Sequence, residues 1–487
     1  MSTGKIIGRE IEQRILQQAV FSKTAEFIAI YGRRRVGKTF LVKEFFAHQI
    51  CFELIGVHHA SFSQQLNNFA VSLGKAIGKG FQTQRPASWQ EAFLQLEQYL
   101  EAPEQKKKPG KKVIFFDELP WLNTVRSNFI QGLEHFWNSY ASGRNDLILV
   151  VCGSAASWMI QQIVRAKGGL HNRLTRQIRL MPFSLEETET FLRSIEVSLT
   201  RVQMAELYMV MGGIPFYLMQ VEPGLSASQT IDALCFSGQG LLRREFDTLF
   251  SSLFDESHRH RTVVETLAKK RSGISRNDLL SLSGIPSGGT ASLTIEELEE
   301  SGFIESRIPW GKKSYDLIYR LTDEFSLFHF TWISELGKKN PDAGYWLSRQ
   351  NSPRRRTWSG YAFENIIIKH VARIKSALGI AVIETTDGPW YSRPNKESGI
   401  PGAQIDLLID RRDATINICE MKFADGPFTI DAKYAGELRS KIDVFKKNTG
   451  TRKNVFLTMI TTFGLTENDY FRELVQQSLT LEALFKS

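Results

Sequence analysis

Two stretches of this chain carry residue types that do chemistry only in company. The first is GRRRVGKT, Gly32 to Thr39. It fits the pattern G-x-x-x-x-G-K-[ST], in which a glycine-rich turn aims backbone N–H groups at a phosphate. Gly32 and Gly37 supply the turn, Lys38 is expected to reach the β- and γ-phosphates, and the Thr39 hydroxyl to hold Mg²⁺. Arg33, Arg34, Arg35, Val36 and Phe40 complete the loop and open the following helix, whose N-terminal dipole favours an anion. The second stretch spans Asp406, Glu420 and Lys422, in GAQIDLLID and INICEMKF.

Side chains alternate faces along a strand. Glu420 and Lys422 therefore continue a face that Ile416 and Ile418 begin as apolar. GAQIDLLID also alternates, and RRDAT between the two runs reads as a turn. A hairpin symmetric about Asp413 pairs position 406 with 420 and position 404 with 422. Directly opposed carboxylates, with Cβ atoms about 4.5–5.5 Å apart, repel unless something positive lies between them. Lys422 helps, and a divalent cation such as Mg²⁺ bridges two carboxylates better. A bulge would shift this register.

The elements that must position the first loop are present around it. FIAIY is a short apolar run directly before Gly32, and FLVKEFF continues after Thr39. KVIFFDEL and LILVVCGSA are continuous apolar runs, the signature of strands buried on both faces of a parallel sheet. Each ends in chemistry. Asp117 is expected in the Mg²⁺ shell, Glu118 orients or deprotonates an attacking water, and Ser154 sits at the carboxyl edge where α/β sheets bind ligands. The class is α/β with a parallel, nucleotide-binding sheet.

A length of 487 residues allows three domains at roughly 100–200 residues each. No apolar run approaches the roughly 20 residues of a membrane span. The start, MSTGKIIGREIEQRI, lacks a secretory apolar region. Cys51, Cys152, Cys235 and Cys419 are too dispersed for a metal or disulfide framework and read as reduced residues of a cytoplasmic protein. The net charge of +9 leans mildly toward a polyanionic partner such as DNA, and no membrane association is expected, since no apolar run is long enough to span one.

The ordered set IIGREIEQ, YGRRRVGKT, FFDEL, the GSA turn, HNRLTRQIRL and MGGIPFYL resembles the archaeal-type ATPases, P-loop proteins of the AAA+/STAND kind. The resemblance spans about residues 6–335. It implies ATP as ligand, Arg9 near the adenine, and Gly213 and Pro215 touching the nucleotide from a helical lid. It also implies that Arg173 or Arg176 reaches a γ-phosphate, in cis or from a second copy in a homo-oligomer.

Residues 258–335 read as helix, turn, helix and two strands around PWGKK, a winged helix-turn-helix. Its second helix carries Glu296, Glu297, Glu299 and Glu300, carboxylates that phosphates would repel, so a regulatory role is expected before sequence reading. Lys312 and Lys313 remain available to a nucleic-acid backbone.

D-x13-E-x-K on a hairpin resembles the PD-(D/E)xK, or restriction-endonuclease-like, superfamily. That resemblance implies Asp406, Glu420 and the Met421 carbonyl around Mg²⁺ or Mn²⁺, with Lys422 serving the attacking water. It also implies a preceding helix with a further glutamate, and Glu364 in WSGYAFENIIIKHV fits. Ile405 stands where the motif's name has proline.

The expected divisions are an ATPase core at 1–182, a helical lid at 183–257, a winged helix at 258–335, a linker at 336–352 and a nuclease-like α/β domain at 353–487. The expected function is DNA cleavage regulated by nucleotide, with RNA as another substrate and an ATP-switched DNA-binding scaffold with a silent nuclease fold as the alternative. His58, His59, His258 and His260 read as surface histidines. Trp390 and Tyr391, read as a loop before the Asp406 strand, are a candidate pair for base stacking.

Overall fold

The runs that end in chemistry form one sheet. In the computed structural model, which describes residues 5–78, 83–107, 109–164, 170, 172–254, 256–337, 341–394 and 401–485, FIAIY lies in β1 (Glu26–Tyr31). It is followed by β2 (Ile50–Ile55), β3 (Lys112–Asp117), β4 (Leu147–Gly153) and β5 (Arg176–Arg179). Their order is β2-β3-β4-β1-β5, and every neighbouring pair is parallel. β1, β3 and β4 are buried along their whole length, as expected of inner strands of a parallel sheet. An apolar cluster including Phe27, Phe93, Phe116, Phe129 and Trp137 fills one side.

Met1–Pro182 is one compact unit and Phe183–Ser487 is a second. The second unit begins with helices Leu185–Ser194 and Arg201–Met211. In the MGGIP turn that follows, Gly213 has φ +68°, and a Cβ there would lie 2.2 Å from the Phe183 carbonyl oxygen. Only glycine allows that approach. Pro215 opens a short helix, Pro215–Leu218.

Helices Ser257–Lys269, Arg276–Ser283 and Gly289–Glu300 accompany an antiparallel sheet of β6 (Ile274–Ser275), β7 (Ile304–Arg307) and β8 (Ile318–Leu321), ordered β6-β8-β7. Two expectations change here. His260 is buried, and its Nε2 lies 2.7 Å from a Glu297 oxygen. Glu299 accepts from the Ser306 amide at 2.9 Å. These carboxylates are thus held by the protein, while Thr290, Ser292 and Leu293 at the other end of the helix are exposed.

Next come helix Pro353–Lys369 and a mixed sheet of β9 (Thr385–Ser392), β10 (Ala403–Arg411), β11 (Thr415–Lys422), β12 (Asn454–Thr461) and β13 (Val475–Thr480). The order is β13-β12-β11-β10-β9. β9, β10 and β11 run antiparallel, and β11, β12 and β13 run parallel. Trp390 and Tyr391 belong to β9 and not to a loop. Trp390 is buried with its ring 5.0 Å from Phe445, so its apolar packing removes it as a base platform.

Residues 183–257, 258–335 and 353–487, which the sequence reading divides into three domains, share this second unit. Three fastenings explain why. The Trp310 indole donates to Asp410 at 3.0 Å and its ring lies 5.5 Å from Phe445. Arg320 of β8 donates to Asn365 at 3.1 Å. Lys369 donates to the two oxygens of buried Glu324 at 2.5 and 2.6 Å. Among the described residues no helix is long and apolar enough to cross a membrane.

Candidate functional site

The loop after β1 turns because Gly32 and Gly37 adopt φ +143° and +93°. At Gly32 a Cβ would sit 2.4 Å from the Leu180 carbonyl oxygen, so the loop presses against the chain leaving β5. Lys38 is buried and donates to the carbonyls of Gly32 and Arg33, both at 2.9 Å. Its own loop thus holds the ammonium. Burial pushes its pKa down, and the Glu118 and Asp117 carboxylates oppose that shift. Arg9, with φ +57°, donates to the carbonyls of Met181 at 2.6 Å and Val36 at 3.2 Å. It buttresses the loop from outside. Arg34 lies 5.9 Å from the Trp121 ring centre, and Phe40 is exposed on the first helical turn.

Asp117 and Glu118 stand at the carboxyl end of β3, and Ser154 follows β4, the strand between β3 and β1. The Thr39 hydroxyl donates to Asp117 at 2.7 Å. Burial raises the Asp117 pKa, against the hydrogen bond from Thr39. Glu118 has a left-handed backbone, φ +48°, a conformation non-glycine residues seldom adopt. Its carboxylate accepts from the Ser154 hydroxyl at 2.7 Å and the Ser154 amide at 3.2 Å. The sequence does not show this tie.

The two arginines separate. Arg173 is exposed. Arg176 pairs in register with Ile28, toward the amino end of the sheet, and donates to Glu26 at 3.2 Å and Gln18 at 3.1 Å. Glu26 is buried and needs that cation, so within this chain Arg176 is a structural partner at the end opposite the phosphate loop. His171 of the same motif lies outside the described residues.

In the second unit, β10 and β11 pair Asp410 with Ile416, Ile409 with Asn417, Leu408 with Ile418 and Leu407 with Cys419. This is the register of a hairpin symmetric about Asp413, and the pairing ends at Leu407 and Cys419, one step before Asp406 and Glu420. On the β9 side the register shifts between Ile405 and Leu408, a bulge at the Asp406 position. Ile416 and Ile418 enter an apolar core with Leu438 and Phe445 of helix Ala432–Thr449. Two positions further along the same face, Glu420 meets polar residues of that same helix. Tyr434 donates to one Glu420 oxygen at 3.1 Å and Lys441 pairs with the other.

The Lys422 ammonium lies 4.6 Å from the Tyr434 ring centre. Asp406 accepts from the Gln404 amide at 2.8 Å. Glu364, on helix Pro353–Lys369, has its pKa pushed up to about 8 by burial and by the Asp406 carboxylate, with Glu420 adding to the effect and Arg320 and Lys422 opposing it. Met421 is buried beside these residues in β11, paired with Ile460. Among the described residues no three His, Cys, Asp or Glu side chains converge as a metal-holding group. An Asp406–Glu420 pair still suits a hard divalent cation that takes its other ligands from water, a carbonyl or phosphate oxygens. Sequence reasoning missed Tyr434, Lys441 and Arg320. The seven-residue spacing of Tyr434 and Lys441, which puts both on one helical face, was the available signal.

Comparison with known proteins agrees with the first part of this geometry. A family described as "ATPase domain predominantly from Archaea" matches residues 7–221. A Walker-type ATPase of Pyrococcus abyssi superposes with a TM-score of 0.50 at 17% identity, over 67% of this chain and 96% of that one. An ORC2 protein of Aeropyrum pernix gives a TM-score of 0.39 at 14% identity, over 66% and 91% of the two chains. An uncharacterized protein of Methanocaldococcus jannaschii is 22% identical over 431 residues, 86% of this chain and 88% of that protein. Residues 7–221 thus match an archaeal-type ATPase domain, and the five-stranded parallel sheet has the fold of a P-loop ATPase.

Proposed function

We propose that this ATPase controls a divalent-metal-dependent nuclease formed by its C-terminal sheet, with DNA as substrate. The observation that carries this reading is the β10–β11 hairpin, whose strands carry Asp406, Glu420 and Lys422 beside a bulge, with the Asp406 and Glu420 charges felt at the half-buried Glu364 of the preceding helix. Carboxylates gathered in a sheltered place repel one another, and a divalent cation relieves that repulsion. Mg²⁺ or Mn²⁺ held by Asp406, Glu420 and the Met421 carbonyl would supply electrophilic stabilisation of the scissile phosphate. Lys422 then orients the attacking water and offsets charge developing on the phosphate oxygens.

In the first unit, Lys38, which donates to the Gly32 and Arg33 carbonyls, would turn to the ATP phosphates, and Thr39 with Asp117 would hold Mg²⁺. Glu118 orients water for hydrolysis, and Arg173 is the arginine we assign to the γ-phosphate. Residues 258–335 act as a winged helix. Its exposed Thr290, Ser292 and Leu293, with Lys312 and Lys313 on the β7–β8 connection, suit contact with a nucleic-acid backbone better than the glutamates do.

A second reading, an ATP-switched DNA-binding protein with a silent nuclease fold, is favoured by one observation. Lys441 and Tyr434 already occupy both oxygens of Glu420. Cleavage of linear, supercoiled and single-stranded DNA, beside RNA, separates the readings when run in Mg²⁺ or Mn²⁺ with and without ATP. Cleavage lost on Asp406→Asn and Lys422→Ala supports the nuclease, and a changed ATP response in Lys38→Ala supports its control. Intact nucleic acid in every lane, with ATP still hydrolysed, selects the silent fold.

A further inference from the structure

We propose that Lys441 is an internal counter-ion that competes with a divalent cation for the Glu420 carboxylate, and so sets the metal concentration at which the carboxylate cluster loads. This rests on reading that cluster as a metal site. Tyr434 and Lys441 stand two turns apart on helix Ala432–Thr449, which Asp431 caps through the Tyr434 amide at 2.7 Å. One rigid element therefore engages both oxygens of Glu420. The pair is sheltered, with side-chain exposures of 24% for Lys441 and 11% for Glu420, so salt in solution screens it little.

The other groups nearby do not perform this task. Lys422 has its ammonium over the Tyr434 ring. Asp406 accepts from a neutral amide, Gln404, which leaves its negative charge in place. Glu420 alone of these two carboxylates pairs with a lysine among the described residues. A divalent cation seeks the same carboxylate oxygen that Lys441 holds. Two positive charges on one oxygen repel, so entry of the ion and withdrawal of Lys441 are one exchange. A displaced Lys441 stays tethered within a side-chain length of the cluster, where a substrate phosphate gives its ammonium a new anionic partner.

Mn²⁺ titration of the full, nucleotide-free chain, followed by calorimetry and by the paramagnetic resonance of free Mn²⁺, tests this without an activity assay. Asp406→Asn, introduced in each background, identifies the ion bound at this cluster and not at the phosphate loop. Lys441→Met should bind Mn²⁺ about tenfold more tightly than the wild type, corresponding to removal of a sheltered competitor. Lys441→Arg keeps the counter-ion and should stay within roughly threefold of wild type. Lys441→Gln serves as a second neutral variant should the methionine variant fail to fold. Wild-type binding at the cluster with unchanged or weaker binding in the neutral variants overturns the counter-ion role alone. No Asp406-dependent Mn²⁺ binding in any variant overturns the metal-site reading and this inference with it.

Discussion

The Thr39 hydroxyl donates to the Asp117 carboxylate at 2.7 Å, linking the loop after β1 to the end of β3 across the intervening strand β4. The two groups expected around Mg²⁺ are thereby brought together before any ion enters. Asp117→Asn keeps the hydrogen-bonding shape and removes the charge. Mg²⁺-dependent ATP turnover should fall about 100-fold, while binding of a fluorescent ADP in EDTA changes little. Equal losses in both assays would mean that Asp117 supports the fold and not the metal.

Glu118 is oriented by Ser154, whose hydroxyl and amide both reach its carboxylate. Ser154→Ala removes the stronger tether. Its kcat for ATP should drop about tenfold with KM within roughly threefold of wild type, as expected for a positioning residue acting through a general base. Glu118→Gln should retain ATP binding and lose turnover. A Ser154→Ala enzyme with raised KM and normal kcat would assign Ser154 to nucleotide binding instead.

Arg173 and Arg176 should behave differently. Arg176→Ala leaves Glu26 sheltered without its cation, and thermal or urea unfolding should show a loss of about 1–3 kcal/mol with ATP turnover nearly intact. Arg173→Ala should reverse the pattern, with normal stability and impaired turnover. Reduced turnover confined to Arg176→Ala would return the γ-phosphate role to that residue.

Glu364 gives a pH signature. An unfolded glutamate releases its proton near pH 4.5, whereas the folded carboxyl retains its proton up to about 8. The native state therefore binds more protons across that interval, and its stability declines as pH rises from about 4.5 to 8 before levelling. Unfolding midpoints measured from pH 5 to 9 in metal-free buffer should trace this decline as one component. Glu364→Gln should remove that component and gain most, relative to wild type, at the alkaline end. A parallel pH profile in the variant would exclude the shift.

What could be read from the sequence depended on whether the signal was local. Gly32, Gly37, Lys38 and Thr39 lie within one turn of chain, and the buried strands beside them read as uninterrupted apolar runs. The β10–β11 register followed from one short turn, since Asp413 sits midway between Asp406 and Glu420. Lys441 reaches Glu420 from a separate helix, Arg176 finds Glu26 across 150 positions of chain, and Trp310 reaches Asp410 across 100. Such pairings are set by how elements stack, which residue spacing within one element does not encode. The glutamates of helix Gly289–Glu300 misled for the same reason. Composition counted four charges, while His260 and the Ser306 amide, supplied by other elements, decided what two of them face.

Trp310, Arg320 and Lys369 have a consequence for heredity. The usual trade in domains moves a self-sufficient piece from one protein to another. A C-terminal sheet cut out after the linker would lose the indole on Asp410, the guanidinium on Asn365 and the lysine's buried carboxylate partner, Glu324, in a single excision. Recombination within Phe183–Ser487 is thus expected to separate these partners, so that the middle and the C-terminal sheet are best inherited together.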